Sequence, residues 1–366
     1  MRIYIFIGDF RFGGAEVVGV NLANSYVNLG HQVTIIVLRN RGQLRLRLKP
    51  EVEILSLENN LVFSLPALGN LLKKIYLKPH LIVSTIRNLN ILLGLANYIW
   101  CHDKARIVMR EANTYLQLRN GSINDRILFF LYKRVIPWTY KRAHRVIANS
   151  KDTLTDIFSF IKVKEETKYV CIGNPVILST TPPSINTMDC DGEKPTGIPN
   201  IVCVGRLHRQ KDFALAIKSV HVFTQKYFEV SLTIYGEGNQ YDYLSALARD
   251  LGVALSIKTP TNDLTKIFKD ADLFLLTSQW EGFGNVIVEA MYYGVTPVVV
   301  DCRGGPKEIV AGRYGYVASR STECIANTLE WAIKNKIPKA ILLNRSQDFN
   351  ANKIAKKYIE CIPSSF

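Results

Sequence analysis

Short apolar runs alternate with segments of helical periodicity along most of this chain. The runs predict strands at Arg2 to Ile7, Val33 to Leu38, His80 to Ser84, Arg106 to Met109, Arg145 to Ala148 and Lys168 to Ile172 in the first half, and at Ile201 to Val204, Val230 to Tyr235, Ala254 to Ile257, Asp272 to Leu276 and Pro297 to Asp301 in the second. Because most residues of these runs are apolar, the pattern is typical of parallel strands buried on both faces. Between the first two strands, apolar residues recur at helical spacing from Ala15 to Leu29, and Gly30 follows as a typical C-cap. The chain therefore opens with a β-α-β unit, and the alternation predicts an α/β fold.

The composition changes between residues 175 and 199, where five prolines occur among Ser, Thr and Gly. Such a segment is typical of a linker or an irregular loop. A chain of 366 residues is also long for one hydrophobic core. We therefore predict a first domain over residues 1–174, a linker over 175–199, a second domain over 200–345, and a terminal helix and tail over 346–366.

No apolar run reaches the roughly 18 to 20 residues that cross a bilayer. The best stretch, Leu89 to Trp100, is interrupted by Asn90 and Asn97, and the apolar residues at the start of the chain end at Gly8. The start is therefore interpreted as a strand and not as a signal peptide. Seven scattered cysteines without C-x-x-C spacing indicate neither a disulfide framework nor a zinc site, which favours a reducing compartment.

The net charge of +15 is concentrated in the first half of the chain. Residues 1–174 carry 25 Lys and Arg against 12 Asp and Glu, whereas residues 175–366 carry 21 against 19, so the first half holds 13 of the 15 excess charges. A solvated basic surface is one explanation. The asymmetry favours an anionic partner, which could be nucleic acid, acidic lipid or a phosphorylated substrate.

The first strand is followed by a glycine-containing loop, Gly8 to Glu16, that leads directly into a helix. Gly13 and Gly14 would let backbone amides approach a phosphate at the positive end of the helix dipole. A tight turn without a ligand is an equally good interpretation of these glycines alone. A dinucleotide redox site is disfavoured, because G-x-G-x-x-G is absent and the second strand ends in Arg39-Asn40-Arg41 without a ribose-binding acid.

Two later loops also follow strands and carry charged residues. Val204 to Asp212 contains Arg206 and Lys211, two cations that suit a diphosphate, although solvated loop cations are the simpler interpretation of this loop alone. Thr277 to Ala290 turns through two glycines and starts a helix near Asn285. Its two carboxylates, Glu281 and Glu289, could accept hydrogen bonds from different hydroxyls of one extended ligand.

Together these motifs resemble those of retaining glycosyltransferase family 4, and the stretch Glu281 to Glu289 resembles its E-x7-E signature. The resemblance covers the whole chain and includes Gly13 to Glu16, Val204 to Lys211, Tyr235 to Gly238, Glu281 to Glu289 and Asp301 to Glu308. It implies the GT-B fold, in which two Rossmann-like domains face a central cleft, with the C-terminal helix packing back on the first domain. It also implies similarity to bacterial transferases of surface polysaccharide and lipid-linked oligosaccharide assembly.

The resemblance assigns roles by position. Arg206 and Lys211 would bind the donor diphosphate and neutralise the leaving group, Glu281 would contact the transferred sugar near the reacting centre, and Glu289 would hold the ribose hydroxyls. The full set of implied donor-binding residues is Gly13, Gly14, Glu16, Gly205, Arg206, Lys211, Glu237, Phe283, Gly284, Asn285, Val286 and Glu289, with Glu281, Arg206 and Lys211 as catalytic. No metal and no cofactor beyond the nucleotide-sugar co-substrate are implied, because the cations and the helix terminus replace a metal.

One segment departs from the family pattern. Many members carry a histidine in the segment that matches Arg110 to Thr114, and here Ala112 takes that position. We therefore predict Arg110, Glu111 and Asn113 as possible contacts for the acceptor or the donor sugar.

Two D-x-D matches, Asp189-Cys190-Asp191 and Asp270-Ala271-Asp272, are interpreted as structural, since the first lies in the linker and the second precedes a strand.

The segment from Ile123 to Arg145 mixes aromatic and aliphatic residues with six basic ones. It is either a core-facing helix with a basic outer side or a helix that lies on an anionic membrane. The resemblance favours the membrane, since the first domain of this fold binds the acceptor and many relatives use polyprenyl-diphosphate-linked sugars. It also implies a location on the cytoplasmic side, at the inner face of the membrane.

The sequence therefore favours a metal-independent retaining transferase that moves a hexose or N-acetylhexosamine from a UDP-sugar, bound between two domains, to a lipid-linked glycan. A nucleotide-sugar epimerase of similar build is one alternative, and it would turn over the donor without an acceptor. A non-catalytic basic module is another, for which Glu281→Ala would leave function intact and binding to random nucleic acid would be salt-sensitive. No nucleic-acid partner is predicted.

Overall fold

Parallel strands form the centre of two separate units. The computed structural model describes residues 1–61, 63–76, 80–113, 115, 123–161, 166–179, 197–261 and 263–362. One unit comprises Met1–Leu178 together with Phe349–Phe366, and the other comprises Ser179–Asp348. The motif Asp189-Cys190-Asp191 and most of the predicted linker lie outside the described residues.

The strands of the first unit are β1 (Arg2–Ile7), β2 (Gln32–Val37), β3 (Glu53–Ser56), β4 (His80–Ser84), β5 (Ile107–Glu111), β6 (Arg145–Ala148) and β7 (Tyr169–Cys171). Those of the second are β8 (Asn200–Val204), β9 (Ser231–Tyr235), β10 (Leu255–Lys258), β11 (Leu273–Leu276), β12 (Thr296–Val300) and β13 (Tyr316–Ala318). The sheet orders are β3-β2-β1-β4-β5-β6-β7 and β10-β9-β8-β11-β12-β13. Every strand pair is parallel, and Ile5 of β1, for example, lies opposite Ile35 and Val83. The α/β class is confirmed.

The described helices connect these strands. They are α1 (Gly14–Asn28), α2 (Leu65–Ile75), α3 (Arg87–Cys101), α4 (Ile123–Tyr140), α5 (Lys151–Phe160), α6 (Phe213–Lys226), α7 (Tyr241–Asp250), α8 (Leu264–Phe268), α9 (Asn285–Tyr292), α10 (Pro306–Val310), α11 (Thr322–Lys334), α12 (Lys339–Ser346) and α13 (Ala351–Glu360). Short 3-10 helices lie at Gln43–Arg47, Glu166–Lys168 and Gln347–Phe349. None of the described helices is both long enough and apolar enough to span a bilayer.

Buried side chains cover both faces of the first sheet. One cluster packs β1, β4 and β5 against α2 and α3, and another packs the opposite face against α1 and the terminal helix α13. Tyr358 of α13 is fully buried, and the amide of Val176 donates to the carbonyl of Phe349 at 3.0 Å. Asn350 starts α13, because its side chain accepts from the amides of the first turn. The prediction that the C-terminal helix packs on the first domain is confirmed.

Most strands begin and end within two residues of the predicted positions, because they are continuous buried apolar runs. Two strands were not predicted, β3 and β13, and both lie at a sheet edge. Asp272, from the second D-x-D match, accepts a hydrogen bond from the amide of Asn200 at 2.9 Å and pairs with Lys336 at 2.7 Å. This agrees with its structural interpretation.

Candidate active site

The loops after β8 and β11 share the carboxyl edge of the second sheet. The two strands are direct neighbours, with Ile201 opposite Leu273, yet β9 and β10 lie on one side of them and β12 and β13 on the other. The connections therefore diverge between β8 and β11. Ligands of open parallel sheets bind at such switch points. Three residues of the predicted site, Arg206, Lys211 and Glu281, lie on these two loops.

Lys211 and Glu281 form an ion pair across the two loops. Nζ of Lys211 lies 2.6 Å from Oε1 of Glu281, and the hydroxyl of Ser278 donates to the same oxygen at 2.6 Å. Only 17% of the Lys211 side chain and 9% of the Glu281 side chain are exposed. Because both side chains are largely buried, this charge-assisted bond holds both groups in one orientation. The pair places a cation that suits an anionic ligand beside a carboxylate that accepts hydrogen bonds.

Glycines let the loops after β8 and β9 pack closely. Gly205 has a φ of +153°, and a Cβ at this position would lie 2.9 Å from Cε of Lys211. A Cβ on Gly236 would lie only 2.0 Å from the carbonyl oxygen of Gly205. The amide of Leu207 also donates to the carbonyl of Glu237 at 2.8 Å. The loop that carries Lys211 is thus fixed by its neighbour.

The Glu281 loop is held from its other side by the loop after β12. The amide of Glu281 donates to the carbonyl of Arg303 at 2.9 Å. Gly304 has a φ of +114°, and a Cβ there would lie 1.8 Å from the carbonyl oxygen of Glu281. Gly284, with a φ of +97°, then turns the chain into α9 without a side-chain cap. The positive end of the α9 dipole therefore lies three residues beyond the carboxylate.

The other predicted residues of the second unit lie around these loops at different depths. Arg206 and Glu237 are exposed on adjoining loops, and Phe283 is buried. Asn285 and Val286 form the first turn of α9, and Glu289 follows one turn later; all three are half-buried. The structure brings Lys211 and Glu281 into direct contact. The donor-binding roles of the whole set stay predictions.

Arg320, which was not predicted as a site residue, forms hydrogen bonds with the loop after β8 and the loop after β11. Its Nη1 donates to the carbonyls of Thr277 at 3.1 Å and Ser278 at 2.9 Å, and its Nη2 binds the carboxylate of Asp212. The hydroxyl of Thr277 donates to the carbonyl of Lys211 at 2.9 Å. Arg320 follows β13, so a cation just beyond the end of a strand was the available signal. It was missed because β13 was missed.

In the first unit, the β1–α1 loop brings a carboxylate to the start of a helix. Gly13 precedes α1 and Gly14 is its first residue. A Cβ on Gly13 would lie 2.2 Å from Oε2 of Glu16, so the side chain of Glu16 lies over this glycine. Burial raises the pKa of Glu16 above its ordinary value, and the negative charge of Asp9 adds to the increase.

Family models match both units. Residues 12–179 match the model described as Glycosyltransferase Family 4, and residues 186–354 match the model described as Glycosyl transferases group 1. The chain is a family 4-like glycosyltransferase. Every residue of the predicted site lies within one of the two matched ranges.

Curated relatives of the glycosyltransferase differ in how much of their length they share with it. An N-acetylgalactosamine-N,N'-diacetylbacillosaminyl-diphospho-undecaprenol 4-alpha-N-acetylgalactosaminyltransferase of Campylobacter jejuni is 27% identical over 330 residues, which cover 84% of this chain and 83% of that protein. An uncharacterized glycosyltransferase of Haemophilus influenzae is 33% identical over 112 residues, which cover 30% of this chain and 32% of that protein. The second match thus spans about a third of that relative.

Solved structures resemble the glycosyltransferase over nearly its whole length. Anabaena HepE in complex with UDP has a TM-score of 0.76 at 21% identity and covers 98% of this chain and 99% of its own. WaaG, a glycosyltransferase involved in lipopolysaccharide biosynthesis, has a TM-score of 0.69 at 15% identity and covers 99% of this chain and 100% of its own. These likenesses establish the fold, which is GT-B.

The segment in which Ala112 replaces the family histidine is held by a buried carboxylate. Glu111 accepts two hydrogen bonds from Arg87, both at 3.1 Å, and one from each hydroxyl of Tyr115 and Tyr140, at 2.9 and 2.6 Å. Only 1% of Glu111 is exposed. Burial tends to lower the pKa of Arg87, but the negative charge of Glu111, its hydrogen bonds and the two tyrosines together outweigh burial and keep the pKa above its ordinary value. Glu111 therefore fixes the shape of the segment from within the domain.

Arg110 and Asn113, on either side of Glu111, differ in accessibility. Arg110 is fully buried, donates to the carbonyl of Thr85 at 3.0 Å and to the side chain of Asn174 at 2.6 Å, and has its pKa lowered by burial. Asn113 is exposed, and its carbonyl accepts from Arg87 at 3.1 Å. Of the three predicted sugar contacts, Asn113 alone presents its side chain to solvent. A direct sugar contact for any of them stays a prediction.

Proposed function

We propose that this glycosyltransferase is a metal-independent, retaining enzyme that moves a hexose or N-acetylhexosamine from a UDP-sugar to a lipid-linked glycan in surface polysaccharide assembly. The observation that carries the proposal is the ion pair of Lys211 and Glu281 beside the amino end of α9. The names of the relatives point the same way. The Campylobacter jejuni relative is named for an acceptor linked to diphospho-undecaprenol, and HepE was solved with UDP.

The proposed donor site has a positive part and an acidic part. Lys211 and the exposed Arg206 supply two cations for the diphosphate, and the first turn of α9 adds the positive end of its dipole. When the bond between the anomeric carbon and the diphosphate oxygen breaks, its electron pair goes to the diphosphate, and these groups neutralise the charge. The acceptor oxygen bonds to the anomeric carbon, and its proton passes to the released diphosphate oxygen.

Glu281 has the geometry of a group that orients the transferred sugar. Its Oε1 accepts from Lys211 and from Ser278, and no described residue donates to its Oε2. A carboxylate oxygen beside a diphosphate-binding cation can accept a hydrogen bond from a sugar hydroxyl. Glu289, half-buried one turn into α9, is proposed to hold the ribose hydroxyls. The 2.6 Å bond to Lys211 holds the carboxylate of Glu281 where it can face the developing positive charge of the sugar ring.

The nucleotide arm of the proposal is tested by a thermal-shift screen of nucleotide sugars. A UDP-sugar is expected to raise the melting temperature, and to raise it more the tighter it binds, because it binds the folded state only. If no nucleotide sugar or free nucleotide shifts the melting temperature, the proposed donor site is wrong.

The catalytic arm uses Glu281→Gln with a labelled donor and a lipid extract as the source of acceptor. We expect transfer to fall by about 10²- to 10³-fold while UDP still stabilises the fold. The matched control is Glu229→Gln, which removes an exposed carboxylate elsewhere in the same unit and should transfer at the wild-type rate. Wild-type transfer by Glu281→Gln would contradict the role of Glu281, and donor turnover without acceptor would instead indicate an epimerase.

The acceptor side of the proposal includes contact with an anionic membrane through α4. Ile127, Phe130 and Leu131 are 56%, 65% and 56% exposed on this helix. Lys133 and Arg134 are exposed next to them. Exposed apolar residues flanked by cations can insert at the headgroup level of an anionic bilayer. Burial of the apolar side chains and attraction between the cations and the anionic lipids both favour such binding.

Vesicle sedimentation tests the membrane contact. Wild-type protein should sediment with vesicles that contain phosphatidylglycerol and much less with pure phosphatidylcholine. Phe130→Ser combined with Leu131→Ser should abolish most of this binding, whereas Trp331→Ser, which removes a 56% exposed aromatic residue of the second unit, should not. Equal binding by all three proteins would exclude α4 as the contact.

A further inference from the structure

A pocket of about 190 Å³ lies at the carboxyl edge of the first sheet. The loops that follow β1, β2 and β3 all line it, and these three strands are neighbours in the sheet. Its charged side chains are those of Asp9, Arg11, Arg39 and Arg41. The lining thus holds three guanidinium groups and one carboxylate, which leaves an excess of two positive charges.

Asp9 orients two of the arginines. Its Oδ2 accepts from Nε of Arg11 at 2.7 Å and from Nε of Arg41 at 3.2 Å, and its Oδ1 accepts from the amide of Arg11 at 3.1 Å. Partial burial tends to raise the pKa of Asp9, but these hydrogen bonds outweigh it and hold the pKa below its ordinary value. The carboxylate therefore stays ionised and keeps both guanidinium groups in place.

The remaining donors of these arginines point to a ligand. Both arginines use Nε to bind Asp9, and within the described part of the chain no side chain or carbonyl accepts from their Nη1 and Nη2 groups. Arg11 and Arg41 are 68% and 50% exposed, so the free ends of both forks are accessible. Arg39 is tied to Asn60 through one Nη2 bond. Planar guanidinium groups of this kind match the oxygens of phosphate and carboxylate groups, and a phosphate or diphosphate carries enough negative charge to balance the excess of the pocket.

Backbone contacts between two loops hold the pocket in this shape. The amide of Phe10 donates to the carbonyl of Arg41 at 2.7 Å, and the amide of Leu44 donates to the carbonyl of Phe10 at 2.9 Å. Gly42 has a φ of +113°, and a Cβ there would lie 2.1 Å from the carbonyl carbon of Phe10. The two arginine-bearing loops are therefore locked together, and a ligand would meet donors that are already positioned.

We propose that Arg11, Arg39 and Arg41 form a binding site for the phosphate or diphosphate group of the acceptor substrate. The inference rests on the proposed function, under which the donor diphosphate has its own cations, Arg206 and Lys211, in the other unit. A single cation would suffice to neutralise Asp9, so the cluster keeps two positive charges that can bind an anionic ligand. The first unit also carries most of the excess positive charge of the chain.

Isothermal titration of the full chain with geranyl diphosphate, geraniol and UDP distinguishes the possible sources of the phosphate. In the double variant Arg11→Gln with Arg41→Gln, affinity for geranyl diphosphate should fall by about tenfold or more, because two charge-assisted contacts are lost. Affinity for UDP should not change, and geraniol should bind neither protein measurably. Arg45→Gln removes an exposed arginine of the adjacent 3-10 helix and should match the wild type in all three titrations.

Two further results would overturn the assignment. If the double variant keeps its affinity for geranyl diphosphate, the pocket is not a phosphate site. If UDP affinity falls instead, the pocket belongs to the donor. Arg41→Lys serves as a control for the fold. It keeps a positive charge beside Asp9 but loses the planar guanidinium group, so its affinity for geranyl diphosphate should lie between those of the wild type and the double variant. Absence of UDP binding in the wild type would contradict the proposed function and leave the geranyl diphosphate result to be judged separately.

Discussion

The carbonyl oxygen of Glu281 occupies the space that a side chain on Gly304 would need. A Cβ at position 304 would lie 1.8 Å from that oxygen, and the neighbouring carbonyl of Arg303 accepts the amide of Glu281 at 2.9 Å. The position of the carboxylate of Glu281 is therefore set by the backbone of another loop as well as by Lys211. Two loops from different strands must fit together before the site exists.

Gly304→Ala is accordingly expected to destabilise the second unit by about 3 kcal/mol, since it adds a steric clash to an unfavourable positive φ. Gly312→Ala is the matched control. Gly312 also has a positive φ, +63°, but a Cβ there would have no atom within 4 Å. That variant should lose only about 1 kcal/mol. Urea unfolding measures both, and equal losses would show that the close approach at Glu281 is not important for stability.

The ion pair of Lys211 and Glu281 should appear as an energetic coupling. Lys211→Met or Glu281→Gln alone leaves a mostly buried charge without its partner, whereas the double variant leaves neither. A double-mutant cycle is therefore expected to give a coupling of about 1 to 2 kcal/mol in urea unfolding. The same cycle on Lys269 and Asp270, which are 3.9 Å apart and mostly exposed, should give no measurable coupling. Additive effects at Lys211 and Glu281 would contradict the pair.

The buried pair of Arg87 and Glu111 should contribute more to stability than any surface pair. Glu111→Gln would leave Arg87, whose side chain is 13% exposed, without its counter-charge. A loss of about 3 to 5 kcal/mol is expected from thermal or urea unfolding of the first unit. Glu323→Gln, which removes the exposed partner of Lys226, should leave the melting temperature unchanged. If Glu111→Gln loses no more stability than Glu323→Gln, the ion pair of Glu111 with Arg87 is not important for the stability of the first unit.

The sequence predicted the central strands and placed Lys211 and Glu281 on loops that follow two of them. Both residues follow buried apolar strands, and the carboxyl ends of parallel strands share one edge of a sheet. The edge strands β3 and β13 gave no such signal. Glu53 and Ile54 of β3 are exposed, and β13 has only three residues, so neither forms a buried apolar run.

Contacts between residues that are distant in the chain could not be predicted from local patterns. Arg320 reaches the carbonyls of Thr277 and Ser278 across more than 40 residues of sequence. Glu111 was predicted as a possible substrate contact because it lies beside the position of the family histidine. Its burial by Tyr140 and its bonds to Arg87 depend on two helices that local sequence does not bring together.

The carboxyl of Glu16 should make the stability of the first unit depend on pH. Burial raises its pKa above the ordinary 4.5, with a further contribution from Asp9, so the folded state holds this proton more tightly than the unfolded state does. Between the ordinary and the raised pKa the folded state binds more protons, and the free energy of unfolding therefore falls as pH rises through that window. The loss of stability that comes from ionising this buried carboxyl is complete above the raised pKa and absent below the ordinary pKa.

Glu16→Gln removes this penalty, because the amide is neutral at every pH. The variant should melt above the wild type at about pH 7.5 and together with it below about pH 4. Glu51→Gln, which alters an exposed glutamate of the same unit, should track the wild type throughout. Melting curves recorded across this pH range provide the measurement. A difference between Glu16→Gln and the wild type that stays constant with pH would show that the lost contacts of the side chain, and not its ionisation, determine the effect.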